Sequence, residues 1–99
     1  MAIIDNHQHI YGGINEDGST MFGEGFSCER VREGTYMVKF EQPFTELPTP
    51  VCTINGQEWK TFDKSIAIVE AVKHQFICVT SSPEKPVNCS FTFIVFGEI

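Results

Sequence analysis

The residues best suited to chemistry lie in one short stretch, Asn55-Gly-Gln-Glu-Trp-Lys-Thr-Phe-Asp63. Trp59, the single tryptophan of the chain, offers an aromatic face on which the apolar side of a sugar ring can stack. Asn55, Glu58 and Asp63 add amide and carboxylate groups of the kind that fix hydroxyls. This stretch is the candidate ligand-binding loop, with Trp59 stacking and Asn55, Glu58 and Asp63 hydrogen bonding. The same composition also suits a cap, in which Trp59 and Phe62 close the end of the domain or pack between subunits.

Other reactive side chains are scattered. His7-Gln8-His9, in an extended strand, puts two imidazoles on one face, where a metal can bridge them. Zinc needs three or four ligands, and only Asp5 is near in sequence while His74 is distant, so no metal is expected. Ser81 or Ser82 with His74 makes an incomplete hydrolytic set, because no G-x-S-x-G turn is present to present a nucleophile. Glu16 and Asp17 read as solvated turn residues, and Gly12-Gly13 and Gly23-Glu-Gly25 precede no helix that would cradle a phosphate.

The four cysteines, Cys28, Cys52, Cys78 and Cys89, form no CxxC pair and no zinc spacing. They read as small buried apolar residues in a reduced chain, and the three pairings open to four cysteines stay open. Asn88-Cys89-Ser90 matches the glycosylation pattern, but with no leader in view it is taken as chance. No catalytic residue and no cofactor are expected, and the chain reads as a non-enzyme.

These residues must be positioned by short strands. Runs of β-branched and aromatic residues, about five to eight long, alternate with Gly, Pro, Asn and Asp, which is the pattern of an all-β sandwich. Thr35-Tyr-Met-Val-Lys-Phe40 has the clearest period of two, with Tyr36, Val38 and Phe40 on one face. Asp17-Gly18 and Glu33-Gly34 mark turns. Pro43, Pro48 and Pro50 stiffen a crossover between sheets, anchored by Phe44 and Leu47. Ser65–Val72 is ambiguous, since Ile66, Val69 and Val72 have helical spacing, but its β-branched content predicts a strand. Phe91-Thr-Phe-Ile-Val-Phe96 is apolar on both faces, so it either packs centrally or buries a face against another subunit. Six to seven strands are expected in a single antiparallel domain, with residues 26–99 as its core and residues 1–25 as a less regular strand or hairpin arm.

At 99 residues and a net charge of −6, the chain has room for one core. It lacks the basic patch that a nucleic acid or an anionic membrane would require. The N-terminus, Met1-Ala-Ile-Ile-Asp5, has neither a basic n-region nor a long apolar run. A chain made in the cytoplasm, without membrane insertion, is therefore expected; release or incorporation into a surface fibre stays compatible with this. Nine phenylalanines suit a thin sandwich interior and can also supply a subunit interface.

Taken together, Asp17-Gly18, Gly25-Phe26-Ser27, Gly34-Thr-Tyr-Met-Val-Lys-Phe40, Pro43-Phe44, Pro48, Val51 and Phe91-Thr-Phe-Ile-Val-Phe-Gly97 form a pattern that resembles the small β-sandwich domains of phage tail fibres and bacterial fibre-tip adhesins. It is similar, more distantly, to the H-type (snail agglutinin-like) lectin sandwich. The resemblance implies a homotrimer that recognises a glycan or cell-surface receptor. The chain departs from the lectin pattern in its last strand, where sugar-site aromatics give way to Phe, Ile, Val and Thr. The expected function is a non-enzymatic binding module; the alternative is a structural trimerisation or assembly domain without a small ligand.

Overall fold

The computed structural model describes residues 2–4 and 6–99, with side chains described from Asn6 onward apart from that of Glu58. Among the described residues, nine strands and one helical turn follow in the order β1 (Ala2–Ile4), β2 (His7–Ile14), β3 (Thr20–Gly23), β4 (Phe26–Arg32), β5 (Thr35–Phe40), β6 (Thr49–Ile54), α1 (Glu58–Thr61), β7 (Ser65–Val72), β8 (Gln75–Ser81) and β9 (Phe91–Glu98). Every pairing is antiparallel. One sheet runs β1-β2-β9-β6, with β3 also on β2; the other runs β4-β5-β8-β7. The fold is the expected all-β antiparallel sandwich, with more strands than the six to seven anticipated.

The difference lies at the N-terminus. Residues 1–25, expected as a strand or hairpin arm, contribute β1, β2 and β3 to the first sheet, and β2 also pairs with β9 from His7↔Glu98 to Ile14↔Phe91. The physical reason is an alternation partly hidden by glycine. Gln8, Ile10, Gly12 and Ile14 all point inward and are buried. A Cβ on Gly12 would sit 2.5 Å from the Phe26 ring, so the missing side chain is the space that Phe26 fills. Gln8 is fully buried and ties its strand to the crossover, donating from Nε2 to the Gln42 carbonyl at 3.2 Å.

The core is built of alternate residues from facing strands. Phe91, Phe93 and Val95 of β9 meet Tyr36, Val38, Phe40, Phe76 and Cys78 of the opposite sheet. The rings meet edge to face: Phe26–Phe93 at 4.9 Å, Tyr36–Phe91 at 5.2 Å and Phe76–Phe93 at 5.4 Å, which matches edge hydrogens to ring faces. β9 is central in its sheet, between β2 and β6. Its other side chains, Thr92, Ile94 and Phe96, face outward and are only partly covered.

The ambiguous Ser65–Val72 is a strand. Its register shifts between Ile68 and Glu70, so Ile68 opposes Cys78, Glu70 opposes Ile77 and Ala71 opposes Phe76. The extra residue of that bulge spreads the apolar positions to a quasi-helical spacing. In the proline-rich crossover Phe44 is buried against Phe40 at 5.1 Å. Leu47, expected as a second anchor, is exposed, because Pro48 takes the inward place beside it. The four cysteines are free thiols, Cys78 and Cys89 buried and Cys28 and Cys52 half-buried.

Within the first sheet β2 and β6 run against β1, β3 and β9, within the second β4 and β8 run against β5 and β7, and the Gly34–Asn88, Asn55–Ser90 and Tyr36–Glu16 hydrogen bonds join the matching ends. The β2–β3, β4–β5, β6–β7 and β8–β9 connections therefore gather at one end of the sandwich. This end carries the site.

A loop-built cleft as candidate functional site

Three of those connections enclose a cleft of about 510 Å³. Glu16 comes from the β2–β3 turn, Asn55, Gln57, Trp59, Lys60 and Lys64 from the β6–β7 connection, and Asn88 and Ser90 from the β8–β9 connection. Each wall is tied to the sandwich by hydrogen bonds. In the β2–β3 turn the Asn15 and Gly18 amides donate to the Ser19 and Asn15 carbonyls at 2.8 and 2.9 Å. The Ser19 hydroxyl and amide both donate to the Asp17 carboxylate, holding its pKa below the usual value. Tyr36, fully buried, donates its hydroxyl to the Glu16 carbonyl at 2.7 Å and so fixes that turn to the second sheet.

The β6–β7 and β8–β9 walls are tied to each other. Asn55 donates its amide to the Ser90 carbonyl at 3.0 Å, and the Ser90 hydroxyl donates to the Asn55 carbonyl at 2.7 Å. The β8–β9 wall is in turn held by the β4–β5 turn, where the Gly34 amide donates to Asn88 Oδ1 at 2.8 Å. Asn88 thus has its carbonyl oxygen engaged in structure. Its amide nitrogen, the Gln57 amide and the lysine ammonium groups bring hydrogen-bond donors to the cleft beside the Glu16 carboxylate, while the Asn55 amide nitrogen is directed to Met21 Sδ at 4.0 Å.

Trp59 stands on α1 and is 68% exposed, and Phe62 just beyond it is 80% exposed. Neither caps the sandwich. The Lys60 ammonium lies 4.9 Å from the centre of the Trp59 ring, a cation–π contact that engages one face of the indole. The helical turn is held by the Lys60 amide and the Thr61 hydroxyl, both donating to the Gln57 carbonyl.

Of the residues singled out in the sequence, Trp59 and Asn55 line the cleft. Asp63 does not line it; its carboxylate accepts from the Lys64 ammonium, which lowers its pKa and holds Lys64 at the cleft wall. The Glu58 side chain lies outside the described residues. Gln57 and Lys60 belong to the loop singled out in the sequence, whereas Glu16, Lys64, Asn88 and Ser90 were not assigned to a site there. The signal for them was the strand count, because correct strand parity puts the β2–β3 and β8–β9 connections beside the tryptophan loop.

The remaining reactive residues are not assembled. His7 and His9 share the outward face of β2, stacked on Phe96 at 5.5 Å and on Tyr11 at 6.5 Å. No cluster of three or more metal-binding side chains occurs among the described residues, and Asp5 lies outside them. His74 and Ser81 flank opposite ends of β8, roughly 20 Å apart at strand rise. Burial pushes the Cys28 thiol up to about 12 and raises Cys89; the neighbouring Cys52 thiol and burial raise Cys78. All three are therefore thiols rather than thiolates at neutral pH.

Tyr36 gives a pH test of the cleft's anchoring. Its pKa is raised from 10.0 to about 12, chiefly by burial. The folded chain keeps the phenolic proton to about pH 12 while the unfolded chain releases it near 10, so this contribution to stability is complete below pH 10 and is lost as pH rises from 10 to 12. Alkaline denaturation curves of the wild type and Tyr36→Phe should differ in slope over that window. Parallel curves would contradict the anchoring.

No protein-family model matches this chain, and no curated protein or solved structure matches it. The fold and cleft define a class only: a two-sheet antiparallel sandwich with a polar, tryptophan-edged cleft built from loops at one end.

Proposed function

We propose that the chain is a non-enzymatic binding module whose loop-built cleft takes an oligosaccharide, either free or displayed on a cell-surface receptor. The observation that carries this reading is an exposed indole at the edge of a cleft lined by amides, a hydroxyl and ammonium groups. A pyranose has one apolar ring face and a rim of hydroxyls, and such a site matches both. The free face of Trp59 stacks on the ring, while Asn55, Gln57 and Lys64 meet hydroxyl oxygens; Asp63 acts by positioning Lys64. The resemblance to fibre-tip adhesin domains supports the same reading.

The test is a glycan array probed with the labelled chain and with Trp59→Ala. The expected result is binding to a restricted set of saccharides and, for the variant, a loss of about tenfold or more, equivalent to ~1.4 kcal/mol. Because Trp59 is exposed, Trp59→Ala should unfold at the same denaturant concentration as the wild type. Undiminished array binding by the variant would remove Trp59 from the site, and an array without signal would count against the reading as a whole.

A further inference from the structure

The two outward sheet faces differ in a way that the fold does not require. The outer face of the second sheet is ordinary: Glu29, Lys39, Glu70 and Gln75 are interspersed among its apolar residues, as the strand registers place them. On the outer face of the first sheet, among the described side chains, charge is kept away from the centre. Its central row is Tyr11–Ile94–Val51, flanked by His9–Phe96–Thr49 on one side and by Gly13–Thr92–Thr53 on the other. The Phe22 ring lies over Gly13, where a Cβ would come within 2.5 Å of it. Among the described residues of these rows Glu98 is the carboxylate, and it stands at their end beside His7, 4.0 Å away.

Tyr11, Phe22, Val51, Ile94 and Phe96 are each about half exposed. Together they show roughly 500 Å² of apolar surface in one patch, at the upper end of what a monomer displays. Four strand positions about 4.8 Å apart, and strands of six to eight residues at roughly 3.3 Å each, give a face near 19 by 25 Å. Counted on both partners that is about 950 Å², the size of a weak but specific interface. At the β6 edge of the same sheet Pro50 has no amide hydrogen to offer a further strand.

We propose that this face is the site of a two-fold homodimer, in which the first sheets of two copies pack face to face. The occupant is a second copy because the patch is self-complementary: apolar throughout its centre, it meets its own image without placing like charges opposite one another. Elsewhere a chain of net charge −6 repels its copy, so this face is where two copies can approach most closely. A single self-matching face closes on itself as an isologous pair; a three-fold ring needs two different complementary surfaces. The inference stands independently of the ligand of the cleft, which lies at the end of the sandwich and remains open in such a dimer.

Sedimentation equilibrium of the full chain across the micromolar range tests it. The expected mass is twice the 11.2 kDa of the chain, and Ile94→Lys should weaken association by about tenfold or more with an unchanged circular dichroism spectrum. Val51→Lys, on the edge strand β6, should do the same if the central substitution disturbs folding. Gln75→Lys, on the outer face of the other sheet, should leave the dimer intact. A wild-type monomer throughout, a three-chain mass, a dimer surviving both lysine substitutions on the face, or dissociation by Gln75→Lys would each overturn the proposal.

Discussion

Phe91→Ala should cost about 3–5 kcal/mol, a large fraction of the 5–15 kcal/mol that holds a domain of this size folded. Phe91 is fully buried, meets Tyr36 edge to face at 5.2 Å, and opposes Ile14 on one side and Ile54 on the other. Truncation leaves a ring-sized void where both sheets and three strands of one sheet converge. Rigid backbones on every side limit how far that void can collapse. The matching control is Phe62→Ala, which removes the same side chain from a position 80% exposed and should change stability by less than about 0.5 kcal/mol. Chemical denaturation of the two variants separates these outcomes, and equal losses would mean that β9 does not run through the core as described.

Gly34→Val should be nearly as damaging and should also reach the cleft. Gly34 has φ of +73°, and a Cβ there would lie 2.7 Å from the Thr80 carbonyl oxygen and 3.0 Å from the Val87 nitrogen, which are backbone atoms with little freedom to move. Left-handed strain and forced overpacking together cost about 2–4 kcal/mol. The position is also a junction. The Thr80 amide donates to the Gly34 carbonyl at 2.7 Å, the Thr80 hydroxyl donates to the Val87 carbonyl at 2.6 Å, and the Gly34 amide holds Asn88. Displacing the turn therefore displaces the β8–β9 wall. The expected readout is a lowered denaturation midpoint together with amide shifts concentrated at residues 80–90 in NMR spectra; shifts confined to residues 33–35 would contradict the coupling.

The strands were legible where alternation was clean. Tyr36, Val38 and Phe40 declare a face, and Asp17-Gly18 declares a turn, because side-chain period and turn chemistry are local properties of the chain. The N-terminal strands were less legible, since Gly12 and Gly13 occupy places where apolar residues would complete the pattern, and the residues that explain them, Phe26 and Phe22, lie across a turn or on another strand. Val69 misled in the same local way, a bulge lending a strand the spacing of a helix. For the site, Trp59 stood out as a lone aromatic in a polar loop. Asn88 and Ser90 could not, because nothing in their own segment distinguishes a cleft wall from an ordinary connection. Only the parity of the strands brings them beside Trp59, and parity depends on counting every strand correctly.

The proposed function makes the cleft around Trp59 a saccharide site. Its most direct test is backbone amide chemical-shift mapping of the full chain during titration with an oligosaccharide selected on the glycan array. The expected shifts cluster at residues 55–64, 88–90 and 16, and move the Trp59 indole N–H. Shifts confined to Tyr11, Val51, Ile94 and Phe96 on the outer sheet face, or no shifts at saturating saccharide, would contradict it.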